Sequence, residues 1–200
     1  MYNPYMIGKL VYLRHPTEED ALGRWHEWFS DEETTKYLAG AGLERVWPNT
    51  KERQLDFLKS LEDKNRLVLS IVTIEDDKFI GVVSLSSINW IHRYADPAIV
   101  IGEKEYHKGA YAIDAMNLIH KVAFIRLNLK IVRSSHAKSS EASRNMDRLF
   151  NYTKVGEYKN LLYIDGHYDD VVVGMLDRET WLKRNKRLLA DEVKNKKSNN

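Results

Sequence analysis

Apolar residues recur along this chain at two different intervals, and the changes from one interval to the other divide it into elements. Leu10-Val11-Tyr12-Leu13-Arg14 reads as a strand. Thr17-Glu18-Glu19-Asp20 reads as a helix start, followed by Leu22, Trp25 and Phe29 at helical spacing. Asp31 opens a short helical piece to about Leu38. After a loop from Ala39 to Pro48, Asn49-Thr50-Lys51-Glu52 offers a capping box for a helix carrying Leu55, Leu58 and Leu61. Residues 67–75 (LVLSIVTIE) and 79–88 (FIGVVSLSSI) are rich in β-branched side chains and are parted by Asp76-Asp77-Lys78, which predicts a hairpin. Residues 98–102 predict a short strand and 130–134 another. Between them, 111–127 form a helix with Ala112, Ala115, Met116, Ile119, Val122, Ala123 and Leu127 on its apolar side. That is a β-α-β unit, so the two strands are expected to be parallel with a right-handed crossover. Ser140 to Phe150 reads as a helix, 154–164 as a strand, Asp165-Gly166 as a hairpin turn and 169–176 as the returning strand. A terminal helix begins at Arg178. The pattern predicts a single domain over residues 1–186 and a polar, flexible tail over 187–200.

Composition narrows the chemistry. Two hundred residues with 43% hydrophobic content can bury a core without covalent bracing. The chain has no cysteine, which excludes a disulfide framework, a thiolate zinc site and a cysteine nucleophile. His92, His107, His120, His136 and His167 show no paired ligand spacing, so no metal is expected. No apolar run approaches the roughly 20 residues that span a bilayer, and the start MYNPYMIGKL lacks a signal-like pattern; the expectation is a soluble, cytoplasmic protein without a membrane partner. The net charge of +2 is uneven: residues 1–100 hold 12 Lys and Arg against 16 Asp and Glu, and the second half holds 19 against 13. The basic half suits a polyanionic ligand or a solvated surface, but the cations are scattered and no basic stripe alternates with aromatics, so nucleic acid is not expected.

The stretch EYHKGAYAIDA, residues 105–115, begins its helix with Gly109 and Ala110 where a Ser, Thr or Asp cap is usual. Bare N–H groups and the positive end of a helix dipole form an anion site when no side chain caps them, and Lys108 adds charge nearby. The alternative is a tight turn that packs on a neighbour. The stretch is neither a GxGxxG fingerprint nor a Walker loop.

The order of elements, with three local motifs, resembles the GNAT superfamily of acyl-CoA N-acyltransferases over about residues 8–182. Trp28-Phe29-Ser30-Asp31 through Lys36-Tyr37-Leu38 is similar to the W-L-N-D-P-E-V-x-x-Y-L stretch of the branch containing ribosomal-protein N-terminal acetyltransferases and amino-sugar acetyltransferases. Residues 102–115 (GEKEYHKGAYAIDA) align without gaps on its I-G-K-E-Y-W-G-K-G-Y-A-T-E-A. Residues 140–152 and 161–176 (LLYIDGHYDDVVVGML) resemble its N-x-A-S-x-x-x-x-x-x-x-G-F and Y-x-D-G-x-Y-x-D-V-x-L-Y-x-L. The resemblance implies a mixed α/β (α+β) fold: a mostly antiparallel sheet of about seven strands, flanked by helices, with a splayed parallel pair at the coenzyme site. It implies acetyl-CoA as co-substrate. His107, Lys108, Gly109, Ala110, Tyr111 and Ala112 would form the pyrophosphate loop, the backbone near Val100 and Ile101 would pair with the pantetheine arm, and Ser140 and Ser143 would flank the coenzyme. Ala110 stands where the family pattern has Gly, a cost if that position needs a positive φ. Ser140 replaces a usual Asn, and Asn151 a usual Gly.

Acetyl transfer from a thioester needs a deprotonated amine, donors for the oxyanion and an acid for the leaving thiolate. Relatives place a carboxylate base on the strand before the pyrophosphate loop and a Tyr acid in the helix after the fifth strand. In this chain those positions carry Pro97, with Asp96 beside it, and Asp147. Asp96 is the leading base candidate, against the reading of a solvated turn carboxylate. His136 is a base or proton carrier with a suitable unperturbed pKa, or an ordinary surface histidine. Asp147 is a holder of the substrate ammonium, or a helix-surface partner of Arg144 or Arg148. Trp28 and the loop 86–96, with Asn89, Trp90 and His92, are the expected acceptor grip. The run SINWIHR resembles a segment of pseudaminic-acid-type enzymes, which points to an amino sugar, free or nucleotide-linked, as the small-molecule amine. The competing acceptors are a protein N-terminus, a polyamine or an antibiotic amine. A silent coenzyme-binding or interaction module is the reading from another class, and a homodimer is compatible with all of them.

Overall fold

The computed structural model describes residues 3–38, 48–107 and 109–186. Eight strands form one sheet in the order β1-β2-β3-β4-β5-β6-β8-β7: β1 (Met6–Ile7), β2 (Val11–Arg14), β3 (Leu67–Thr73), β4 (Phe79–Asn89), β5 (Tyr94–Ile101), β6 (Ile131–Ala137), β7 (Thr153–Ile164) and β8 (His167–Asp177). All neighbouring pairs are antiparallel except β5 and β6. The expected mixed fold, mostly antiparallel with one parallel pair, is therefore present. The short β1 adds a strand to the expected seven.

Helices cover both faces. Thr17 caps α1 (Glu18–Asp20) through a capping box with Asp20; a wide turn over Ala21–Trp25 leads into α2 (His26–Trp28). Asp31 caps α3 (Glu32–Thr35), and Thr50 caps α4 (Lys51–Lys59) by accepting from the Arg53 amide. Ala21, Trp25 and Trp28 pack with Val68, Val82 and Val100 on this face. Leu22, an expected core position, is exposed, because the wide turn rotates Ala21 and Trp25 inward instead. On the other face α5 (Ala110–Lys121), continued by a wide turn over Val122–Arg126, buries Ala115, Ile119 and Phe124 against Leu13, Leu69, Leu85 and Val132. Burying each large side chain there stabilises the fold by about 1.5–3 kcal/mol. Helix α6 (Glu141–Phe150) and a helix α7 over 178–186 complete that layer, through Phe150 and Trp181.

The loop expected over 86–96 is mostly sheet. β4 runs to Asn89 and β5 begins at Tyr94, leaving a turn over 90–93. His136, expected just past its strand, lies within β6.

Candidate active site

Parallel pairing between β5 and β6 consists of Tyr94 with Ile131 and Ala95 with Val132, and then stops. Beyond that point β6 stays paired to β8 as far as Ala137, and β5 stays paired to β4 as far as Ile101. The inner edges of the two strands therefore diverge and leave main-chain groups inside the sheet without a strand partner. The Gly102 amide donates to the Ile80 carbonyl beside the Gly81–Ile101 pair. By the alternation of an antiparallel ladder, Val100 then points its amide at β4, while Ile99 and Ile101 point theirs into the gap. Val100 is thus a ladder residue, and the amides that face the gap are those of Ile99 and Ile101.

At the open end of the gap, α5 starts on Gly109 with no side-chain cap. Gly109 has φ 80° and ψ −39°, a conformation that a side chain disfavours, and nothing within 4 Å would otherwise oppose a Cβ. Ala110 is already helical, so the cost expected there does not arise. The Ile113 amide bonds to the Gly109 carbonyl, leaving the amides of Ala110, Tyr111 and Ala112 ahead of it as the donors of the first turn. His107 Nε2 lies 2.9 Å from the Ile101 carbonyl oxygen and ties the loop back to β5. Lys108 lies outside the described residues. Ser140 caps α6 by accepting from the Ser143 amide, and the two hydroxyls are 2.9 Å apart.

The proton-handling candidates fall on opposite faces. Asp96, on the face of Val100, is held by both oxygens: Arg133 Nε donates at 2.7 Å and Nη2 at 2.8 Å, just where backbone pairing ends. Arg133 also covers the Tyr94 ring at 4.0 Å. Asp96 therefore clasps Arg133 at the apex of the gap, with its side chain still partly exposed. On the face of Val132, Asp147 Oδ2 accepts from Ser134 Oγ at 2.7 Å and lies 3.3 Å from His136 Nε2, while His136 Nδ1 lies 2.9 Å from the Ala137 carbonyl. His136 is buried, and Asp147 reaches it from α6 instead of pairing with Arg144 or Arg148. The bond to Asp147 leads in raising the His136 pKa above its ordinary value, burial opposing it. Behind this group, Tyr152 Oη meets His120 Nε2 at 2.7 Å. Burial raises the Tyr152 phenol well above its usual range and lowers His120 to about 3.

A model of the acetyltransferase (GNAT) domain matches residues 11–147. The chain belongs to the GNAT acetyltransferase family. Among solved structures it is similar to a spermidine N-acetyltransferase from Vibrio cholerae in complex with CoA and spermine, with 20% identity, TM-score 0.76 and 86% of this chain on 98% of that one. It is also similar to a GNAT-family acetyltransferase from Bacillus anthracis, with 16% identity, TM-score 0.71 and coverage of 87% and 98%. At these identities the likeness is one of fold. No curated protein matches the chain in sequence.

The residues expected to grip the acceptor are dispersed relative to the gap. The Asn89 side chain accepts from the His92 amide at 2.7 Å, and Trp90 Nε1 donates to the Lys64 carbonyl, so both serve the turn at the paired end of β5. Trp28 lines a cavity of about 420 Å³ just past Ile101, with Arg24, Glu27, Asp31, Glu103 and Lys104. Its indole donates to the buried Glu103. The sequence reading missed Arg133, Ser134, Tyr152 and Glu103. Glu103 and Tyr152 lie inside motif stretches and Arg133 and Ser134 do not, but the roles of all four come from partners distant along the chain.

Proposed function

We propose that this chain transfers the acetyl group of acetyl-CoA to a primary amine of a polyamine, by direct attack in a ternary complex. The observation that carries the reading is the gap between β5 and β6, which opens onto the uncapped start of α5. The gap offers the backbone of Ile99 and Ile101 to the amide-rich pantetheine arm. Gly109 and the amides of Ala110, Tyr111 and Ala112 offer donors and a helix dipole to the pyrophosphate. Ser140 and Ser143 stand at the start of α6, beside the end of β6.

A polyamine is favoured over an amino sugar for two reasons. The cavity beside Trp28 holds Glu27, Asp31, Glu103 and Glu105 against Arg24 and Lys104, an excess of negative charge that suits a linear polycation. The second is that the similar Vibrio cholerae structure is of a spermidine enzyme. Thiol release from acetyl-CoA should be measured with spermidine, spermine, a nucleotide-linked amino sugar, an aminoglycoside and a peptide N-terminus. The polyamines should be the best acceptors. Faster turnover of the sugar would replace the polyamine, and calorimetric binding of acetyl-CoA without turnover on any amine would leave a coenzyme-binding module.

A further inference from the structure

The departing thiolate needs a proton, and α6 offers no phenol for it. Tyr152 is committed to His120 in a part-buried pair, and desolvation raises its phenol well above the usual range. What α6 does bring to β6 is Asp147, on the side chains of Ser134 and His136. Each nitrogen of the His136 ring faces an acceptor, the Ala137 carbonyl at one and the Asp147 carboxylate at the other, and a ring that donates from both nitrogens is an imidazolium. The Nδ1 bond fixes the ring. The Nε2 contact, at 3.3 Å, is longer than the about 2.7–2.9 Å usual for a charge-assisted bond, so this N–H is kept in reach of Asp147 without being locked to it. Ser134 holds the carboxylate from below, and the second Asp147 oxygen makes no hydrogen bond among the described residues. Room for the group comes from Gly174, opposite Ser134 on β8, where a Cβ would lie 2.6 Å from Ser134 Oγ and 3.0 Å from Asp147 Oδ2.

We propose that the His136 imidazolium, seated by Asp147 and Ser134, protonates the departing coenzyme A thiolate. The inference rests on the acetyl-transfer reading above. The amine enters as its free base; its nitrogen forms the new C–N bond at the thioester carbon, and collapse of the tetrahedral adduct breaks the C–S bond. Sulfur takes the Nε2 proton. The acylated nitrogen loses its extra proton to water, and a proton from water restores the imidazolium, so amine and acetyl-CoA give amide and free thiol. The charged groups facing His136 are Asp147, which holds its proton on, and Arg144, which opposes this; its cross-strand partner on β8 is Val172. Asp147 and Ser134 act through the ring as positioning residues.

The test is kcat across about pH 6 to 10 for the full chain and for His136→Gln and Asp147→Asn, with acetyl-CoA and spermidine. Acetyl-CoA affinity by calorimetry and the His136 ring titration by NMR complete it. Wild type should lose kcat through an alkaline limb above the ordinary histidine value. His136→Gln should lower kcat by about a hundredfold or more, abolish that limb and keep acetyl-CoA affinity within about twofold. Asp147→Asn should shift both the limb and the NMR titration down toward about 6.5, which a merely structural carboxylate would not do. If His136→Gln keeps kcat within about threefold, or keeps the limb in place, the inference is overturned while acetyl transfer stands. If wild type acetylates no amine of the panel, the functional reading fails and takes this inference with it.

Discussion

Gly174 shows how a single missing side chain shapes a site. Its neighbours Ser134 and Asp147 occupy the space a methyl group would need. Gly174→Ala should therefore cost about 1–3 kcal/mol in urea unfolding, the usual range for overpacking. It should also lower kcat beyond what that loss explains, because the intruding methyl displaces the carboxylate that seats His136. An unchanged kcat would mean that the pair relaxes freely. Asp96 makes the opposite case. Both its oxygens accept from the Arg133 guanidinium across the apex of the gap, an arrangement that ties β5 to β6. Asp96→Asn should thus lower kcat by less than about tenfold, and a loss of about a hundredfold or more would return it to the role of general base.

The residue pairs were legible only in part. Thr17 and Asp20 lie three apart and form the capping box their spacing predicts. Asp165 and Gly166 adopt positive φ values of 47° and 89°, as a tight hairpin demands. Asp96 and Arg133 lie 37 positions apart, and nothing local marks either as the other's partner.

Among the elements, α5 is the one whose placement matters most to the coenzyme, and a side chain in its second turn fixes it. Asp114 Oδ2 accepts from the amides of Lys9, Leu10 and Val11, at 2.8, 2.7 and 3.1 Å, which ties the helix to the turn between β1 and β2. Replacing Asp114 by Ala would strand these donors and should cost about 1–3 kcal/mol in urea unfolding. It should also raise the KM for acetyl-CoA, because the uncapped amides ride on the same helix. A destabilised variant with unchanged KM would show that other packing holds the helix start in place. The bare start of α5 was readable from Gly109-Ala110, since capping is a local matter. Its tether was not, because β1 is two residues long and makes no periodic pattern.

At the scale of the whole molecule, two histidines give stability opposite dependences on pH. Burial keeps His120 neutral in the folded chain down to about 3, with the charge of Arg184 adding to the effect. Unfolded, it takes up a proton near 6.5. Between those values the unfolded chain holds the additional proton, so His120 makes stability fall as pH falls, by up to about 1.4 kcal/mol per pH unit. His136 runs the other way: its raised folded pKa adds stability below the unfolded value, which is lost as pH rises through the folded one. Urea unfolding of wild type and His120→Gln between about pH 7 and 5 separates the two, with the histidine's midpoint expected to fall faster than that of the variant. Parallel midpoints would mean that His120 takes up its proton over the same pH range in the folded chain as in the unfolded one.

The sequence by itself determined the helices, the hairpins, the parallel pair and the uncapped helix start, because periodicity, capping and turn chemistry act over a few residues and leave their mark in composition. Tertiary structure alone decided where the pairing of β5 and β6 stops, which amides face the gap and which side chains meet there. β8 lies between β6 and β7, and α6 closes over β6, so Asp147 reaches His136 while Asp96 is drawn to Arg133 on the far face. Those choices follow from sheet order and from packing between segments far apart in the chain, where the free energy depends on the partner and not on the residue alone.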